Sequence, residues 1–323
     1  MSEENQKPIG SGFGAKTPAA DVVKGMDLIG KNVIVTGGYS GIGIEEVRAL
    51  AGVGAHVTVP ARRPDAAKEA LADVEGQIEV ASMDLADLAS VRKFADDYVG
   101  TGRQLDILIN NAGIMACPLA RVGPGWESQF GINHLGHMAL AQGLLPALKK
   151  AGKSRVVALS STAHIRGDVN WDDPHYENSE YDKWGAYAQA KSANALFARG
   201  ADQRWDEFGV TAFGVHPGGI FTPLQRHLSV EEMAAMGWMN PDGTIPPAIQ
   251  AMFKTPEQGA STATWAATSP QLEGRGGEYC EDCDIAQLAG PDSQRWQHAR
   301  PWICDDEKAD RLWAMSEEML ANA

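Results

Sequence analysis

Short, apolar, β-branched runs alternate with stretches of helical periodicity from residue 32 onward. NVIVT at 32–36 leads through a glycine-rich turn into the helical stretch Ile42–Leu50. HVTVP at 56–60 precedes a helix at Asp65–Val74, and IEVASMD at 78–84 precedes one at Leu88–Val99. LDILIN at 105–110 is followed by a long helix at Trp126–Lys149. RVVALSS at 155–161 and VTAFGVH at 210–216 flank a second long helix, Trp184–Phe208. Strands apolar on both faces need helices on both sides, and strict strand–helix alternation builds βαβ units. The pattern therefore predicts an α/β fold, a doubly wound parallel sheet of the Rossmann type in three α/β/α layers. No linker or internal repeat breaks the series, so residues 27–323 read as a single domain.

Two segments stand outside the alternation. Residues 1–26 are polar and glycine-rich and read as an N-terminal arm. Residues 219–253 hold Pro223, Pro241, Pro246 and Pro247 among Met233, Met236, Trp238, Met239, Met252 and Phe253. A long irregular insertion of this kind is expected to be a lid or binding loop. A helix at about 255–268, a strand at about 277–281 and an end helix at about 305–321 complete the reading.

Charge narrows the partners. The 323 residues carry a net charge of -14, which repels nucleic acid and anionic membrane surfaces. Any polyanion must then be held by a local basic or dipolar site. No run approaches the roughly 18 apolar residues of a membrane span, and the N-terminus lacks the features of a signal peptide. A cytoplasmic protein without a membrane span is expected; a homo-oligomer is left open. The four cysteines form no disulfide scaffold. Cys280 and Cys283, in EYCEDC, lack the second pair a zinc site requires and read as strand-end thiols. His134 and His137, in GINHLGH, have no evident third ligand, so they read as packing or surface histidines and no metal is expected.

TGGYSGIG at Thr36–Gly43 lies between the first strand and the first helix. There Gly37 permits a tight turn, Gly41 lets backbone approach a pyrophosphate, and Gly43 allows close helix packing. The helix N-terminus would present free N–H groups to the phosphates, with Tyr39, Ser40 and Ile42 in the same turn. At the end of the second strand of a dinucleotide fold, an acid selects NAD and an arginine accepts the 2′-phosphate of NADP. VPARRPD at 59–65 offers Arg62 and Arg63, with no acid before Asp65. The expected cofactor is NADP(H) rather than NAD(H).

YAQAK at 187–191 sets Tyr187 and Lys191 four apart, on one helical face. A phenol of ordinary pKa near 10 is a poor base at neutral pH, and a nearby ammonium is expected to lower that pKa. Tyr187 could then give or take a carbinol proton. Lys191 can also reach a nicotinamide ribose, and Ser161 can offer its hydroxyl to the same substrate oxygen.

These strings, in this order, resemble the short-chain dehydrogenase/reductase family over roughly residues 28–300. The resemblance implies further roles. Asp84 would meet the adenine amine beside the Leu85 backbone. Asn111, Ala112 and Gly113, in NNAG, would line the cofactor. Asn133 would hold a proton-relay water, and the second serine of LSS, Ser161, would be the catalytic one. In PGGIFT, Pro217, Gly218, Ile220 and Thr222 would contact the nicotinamide. The 25 residues between Ser161 and Tyr187 are a long link, which resembles the retinol-dehydrogenase-like branch. The implied activity is hydride transfer between NADP(H) and an alcohol, aldehyde or ketone, hydrophobic in view of the lid. An epimerase or dehydratase of the same fold is an alternative, although its turn typically reads TGxxGxxG. A nonenzymatic cofactor-binding sensor or scaffold is another, although all four catalytic positions are kept. No G-x-S-x-G supports a serine hydrolase.

Overall fold

The computed structural model describes residues 5–294 and 296–323. After a short helix α1 (Ala19–Val22), the chain runs β1 (Asn32–Val35), α2 (Ile42–Gly52), β2 (His56–Ala61), α3 (Pro64–Ala70), β3 (Gln77–Ser82), α4 (Leu88–Gly100) and β4 (Ile107–Asn110). A two-stranded hairpin, β5 (Arg121–Val122) and β6 (Trp126–Glu127), leads into α5 (Ser128–Phe130) and α6 (Gly136–Ala151), joined by a π-helical segment at Gly131–Leu135. Next come β7 (Ser154–Leu159), α7 (Lys183–Trp205) and β8 (Val210–His216). Then follow α8 (Val230–Ala235), α9 (Pro247–Met252), α10 (Pro256–Gly259), α11 (Ser261–Thr268), β9 (Tyr279–Glu281), β10 (Asp284–Ile285) and α12 (Asp306–Ala321).

The main sheet has eight strands in the order β10-β9-β8-β7-β4-β1-β2-β3. Every pairing is parallel except β9–β10. The order reverses beside β1, between β2 and β4. The crevice at such a switch point is where open α/β sheets bind ligands, and here it receives the ends of β1 and β4. One apolar core lies under α4, α6, α7 and α12, and the other under α2 and α11. The Rossmann-type sheet read from the alternation is therefore the observed one.

The edges differ from the sequence-based expectation for physical reasons. None of the six residues of β3 is fully buried, because β3 is an edge strand with a neighbour on one side only. It ends at Ser82, so Asp84 falls in the following turn. Trp126 does not begin a helix. Gly123 and Gly125, both at positive φ, fold Arg121–Glu127 into the hairpin, and Glu127 then accepts from the Gln129 and Phe130 amides to start α5. Cys283 is not at a strand end. It shares a tight turn with Asp282, both at positive φ, between antiparallel β9 and β10.

Residues of the N-terminal arm lie against the sheet edge. The Asp284 carboxylate accepts from the amides of Ile9, Gly10 and Ser11, and α1 packs on α2 and α11. Among the described residues no helix is long and apolar enough to cross a membrane.

Candidate active site

The glycine turn ends at an open helix N-terminus. Asp87, Asp182 and Asp305 cap α4, α7 and α12 with their carboxylates, whereas α2 begins at Gly41 without a side-chain cap. No side chain takes up its first N–H groups, of which the Gly43 amide donates to the Ser40 carbonyl at 3.1 Å. A Cβ on Gly43 would lie 2.5 Å from both the Gly37 carbonyl oxygen and Asn111 Nδ2, so the turn, the helix and NNAG close on one another only with glycine there. Gly41, at φ 59°, would set a Cβ 3.4 Å from Thr222. Thr222 therefore stands against the phosphate turn. Tyr39 and Ile42 pack on the core beside this turn, and the Ser40 amide donates to the Gly37 carbonyl at 3.3 Å.

Thr36 ties that turn to NNAG. Its Oγ1 accepts from the amides of Asn111 and Ala112, each at 2.9 Å, and its carbonyl accepts from Asn111 Nδ2 at 2.8 Å. His137 Nε2 lies 2.9 Å from the same hydroxyl, and His137 Nδ1 lies 2.9 Å from the Asn133 carbonyl. Burial lowers the His137 pKa to about 4, so the ring is a neutral bridge between the turn and Asn133. Asn133 sits in the π-helical segment, a local irregularity that frequently marks functional sites. Its side chain exchanges two 2.9 Å hydrogen bonds with the Ile114 backbone. A Cβ on Gly113 would lie 3.2 Å from Asn133 Oδ1 and 3.7 Å from Lys191 Nζ, which brings NNAG, Asn133 and Lys191 to one point.

Tyr187, Lys191 and Ser161 also converge. The Tyr187 hydroxyl hydrogen-bonds the Ser161 side chain. The Ser160 hydroxyl is committed elsewhere, donating to the Lys191 carbonyl at 2.7 Å. Lys191 Nζ donates to the Leu159 carbonyl at 2.8 Å and lies 5.6 Å from the Tyr187 ring centroid. In the protein alone the phenol moves the opposite way from the sequence-based expectation. Burial pushes the Tyr187 pKa up to about 12, partly offset by the Ser161 hydrogen bond. The ammonium expected to hold it down is itself weakened, because burial lowers the Lys191 pKa from 10.5 to about 7. The Tyr187 phenol is accordingly protonated at rest.

The buried lysine carries a testable consequence for stability. Between about pH 7 and pH 10.5 the unfolded chain holds a proton on this side chain that the folded chain has released. Stability therefore rises with pH across that window, and the penalty is fully present below it. Lys191→Met removes the penalty. The Leu159 carbonyl keeps a second donor, Asn194 Nδ2 at 2.9 Å. The variant should melt on the order of 3 °C above the wild type near pH 6, with the gap closing near pH 10. A variant that melts below the wild type near pH 6 contradicts this account of Lys191.

The remaining expected cofactor residues follow the ends of β2, β3 and β8. Arg62 and Arg63 follow Ala61 at the end of β2, both exposed, and neither makes an ion pair among the described residues. Asp84 Oδ1 accepts from the Ala86 amide at 3.0 Å, and Leu85 is nearly buried beside Gly136. Pro217 follows the last residue of β8. Gly218, at φ 105°, would drive a Cβ to 2.7 Å from the Lys254 side chain. Ile220 bridges to Lys254 in parallel fashion. Lys254 was not singled out from the sequence, and neither was the bridge that His137 makes from Thr36 to Asn133. Lys254 is buried, and its ammonium faces Asp282 Oδ1 at 2.7 Å, joining the end of the 219–253 segment to the β9–β10 turn.

That segment covers Tyr187. Leu228 and Met233, with Leu224, Met236, Trp238 and Met239 around them, pack with Met115, Ala116, Ala163 and Tyr187 into one apolar cluster. A chain of ring contacts links Tyr187 to Trp184 (6.4 Å), Trp184 to Trp238 (6.1 Å) and Trp238 to Phe253 (5.9 Å). Met252 is half exposed and stands outside the cluster. The two histidines noted as a candidate metal edge face different partners, His134 to Ser316 Oγ and His137 to Thr36. Among the described residues no group of three or more His, Cys, Asp or Glu side chains could hold a metal ion.

Known proteins resemble the chain in sequence and in fold. The sequence model of the family described as short chain dehydrogenase matches residues 31–233. A probable oxidoreductase of Streptomyces lividans is 44% identical over 301 residues, covering 92% of this chain and 99% of that protein. Human retinol dehydrogenase 14 is 35% identical over 314 residues, covering 90% of this chain and 86% of that protein. Among solved structures, an uncharacterized protein from Mycobacterium Paratuberculosis superposes with a TM-score of 0.70 at 32% identity, over 92% of this chain and 96% of that chain. A protein of Beutenbergia cavernae, described as an NAD(P) dependent gluconate 5-dehydrogenase with bound NADP, gives a TM-score of 0.61 at 27% identity. The match covers 78% of this chain and 95% of that one.

Proposed function

This chain belongs to the short-chain dehydrogenase family, in its retinol-dehydrogenase-like branch, and is an NAD(P)-dependent oxidoreductase; we propose that it works between NADP(H) and a hydrophobic alcohol, aldehyde or ketone. The observation that carries the proposal is the Tyr187 hydroxyl, paired with Ser161 beneath an apolar cover, beside a glycine turn and an uncapped helix end. The residues present fit a dinucleotide: Gly37, Gly41, Gly43 and the α2 amides for the phosphates, and Arg62 and Arg63 for a 2′-phosphate. The side chain of Asn110, buried at the end of β4 without a hydrogen-bond partner, is a further polar group on the crevice side. When bound, the nicotinamide supplies or accepts the hydride.

Two side chains handle the oxygen of the substrate, and a third acts on one of them. In carbonyl reduction the Ser161 hydroxyl donates a hydrogen bond to the carbonyl oxygen and polarises it. Tyr187 transfers its phenolic proton to that oxygen as the C–O bond becomes a carbinol, and the phenolate left behind is reprotonated from solvent. Lys191, fixed through Leu159, favours that transient phenolate when its ammonium is charged. Asn133 and His137 hold the loop on which this geometry depends. The methionine-rich cover excludes water, and flexible thioethers suit a bulky or variable apolar ligand.

A panel of carbonyls of rising apolar size tests the substrate class. With NADPH, kcat/KM should climb with size. Trp238→Ala and Met236→Ala should lower it for large substrates by about tenfold and leave small ones nearly unchanged, as expected when an apolar wall worth about 1–3 kcal/mol is lost. If kcat/KM is flat across the panel, or both variants act alike on every substrate, the cover does not read the substrate. Tight NADPH binding without turnover on any carbonyl would favour a cofactor-binding sensor instead.

A further inference from the structure

The Ser161 carbonyl is crowded with donors. The His164 amide reaches it at 3.1 Å, the His164 ring Nδ1 lies at 2.6 Å, and the Tyr279 hydroxyl lies at 3.3 Å. A carbonyl oxygen has two lone pairs, which the two His164 donors can fill, while the single Tyr279 hydrogen is shared between this oxygen and Ser160 Oγ; together they restrict the orientation of the peptide plane. The Arg300 amide approaches His164 Nε2 at 3.4 Å, which leaves Nδ1 as the nitrogen that carries the hydrogen toward Ser161. Trp302 Nε1 donates to the His164 carbonyl at 3.2 Å, and the His164 and Tyr279 rings meet at 5.0 Å. The Tyr279 hydroxyl also lies 3.4 Å from Ser160 Oγ, the group that donates to Lys191. Both rings are almost wholly buried.

Tyr279 is in turn held from the far end of the sequence. Gln6 Nε2 donates to the carbonyls of Tyr279 (2.8 Å) and Ala286 (2.7 Å), and Gln6 Oε1 accepts from the Tyr279 amide at 3.0 Å. One carboxamide thus meets both backbone groups of Tyr279, as a neighbouring strand would. Asp284, at the next turn of the edge, clasps the arm through three of its amides. The backbone of β9 already pairs with β8, so the sheet does not need the tyrosine hydroxyl or the imidazole. Both polar groups point across to the serine loop.

We propose that Tyr279 and His164 are positioning residues for Ser161, and that the N-terminal arm belongs to the same support through Gln6. This rests on the reading of Ser161 as the hydroxyl that holds the substrate oxygen. Ser161 is extended (φ -166°, ψ 161°), and its Oγ accepts from the Ala163 amide at 3.1 Å. Fixing its carbonyl fixes the plane from which that hydroxyl projects. A shift of about 1 Å in a reacting group can cost about 10²-fold in rate.

A double-mutant cycle in the full chain tests the assignment, with kcat, the KM of the carbonyl, NADPH binding by fluorescence and the melting temperature read for each variant. Tyr279→Phe should lower kcat about tenfold, with the carbonyl KM and NADPH affinity within about threefold of wild type. Placed on Ser161→Ala, the same change should lower kcat no further, because the group it positions is gone. His164→Ala should behave as Tyr279→Phe does, and His164→Asn, which keeps a donor near Nδ1, should recover most of kcat. Gln6→Ala, remote from the site, should lower kcat severalfold in wild type and leave it unchanged on Ser161→Ala. If Tyr279→Phe and Gln6→Ala leave kcat at the wild-type value, or multiply the Ser161→Ala loss by their full factor, the positioning role is wrong. If Ser161→Ala itself retains wild-type kcat, the reading of Ser161 fails first and the inference falls with it.

Discussion

Tyr187→Phe lowers kcat by about 10²–10⁴-fold while NADPH binds within about twofold of wild type, the loss typical of removing one proton donor. Tyr187 is 4% exposed, and its ring packs with Met115, Leu228 and Met233 and against Trp184. Phenylalanine keeps all of that contact. What disappears is one hydroxyl, its hydrogen bond to Ser161 and the transferable proton. Because burial pushes the Tyr187 pKa up to about 12, the wild-type group is neutral across the working range, and the substitution removes no charge from the interior. The folded structure and the cofactor crevice should therefore survive, and the loss should sit in kcat. Steady-state kinetics together with NADPH fluorescence titration separate the two. Retention of more than a tenth of wild-type kcat removes Tyr187 from the role of proton donor.

Replacing Arg62 and Arg63 together with alanine raises the KM for NADPH by roughly 10–100-fold and changes the KM for NADH by less than about threefold, the scale expected for charge-assisted hydrogen bonds to one phosphate. Both guanidiniums are exposed just past β2 and make no ion pair among the described residues. Asp65, the nearest acid in sequence, is drawn to Lys68 at 3.6 Å. In a chain of net charge -14, two unneutralised cations at this position offset a field that otherwise repels a phosphate. Their exposure also means that the substitution disturbs no packing. A wild type that uses NADH as well as NADPH shows that neither arginine reads the 2′-phosphate.

The parallel core and the residues proposed for the site were legible because their signals are local. A β-branched run followed by a glycine turn states β1, the start of α2 and the proposed phosphate cradle within twelve residues, and Tyr187 and Lys191 share one helix. The β5–β6 hairpin was legible in principle, since GPG at 123–125 is a turn string directly before Trp126. The Asp282–Cys283 turn was not, because positive φ at both centres usually announces itself through Asn or Gly. The support of the site lay further out of reach. Gln6 and Tyr279 are 273 positions apart, and Tyr279 and His164 are 115 apart. No periodicity links such pairs. Two histidines three apart on a helix gave no sign that His137 would bridge Thr36 to Asn133. The pKa of Tyr187 was misjudged because spacing reveals a neighbouring ammonium but not how deeply both groups are buried.

The central claim is hydride transfer from NADPH to an apolar carbonyl, with the proton supplied by Tyr187. The direct measurement supplies the full chain with NADPH deuterated at nicotinamide C4 and a bulky hydrophobic aldehyde or ketone, then follows label and product together. The account predicts one deuterium on the former carbonyl carbon for each NADPH consumed, and loss of that product in Tyr187→Phe although the cofactor still binds. Bound NADPH that is never consumed by the wild type with any apolar carbonyl, or label that reaches product equally fast in Tyr187→Phe, would contradict it.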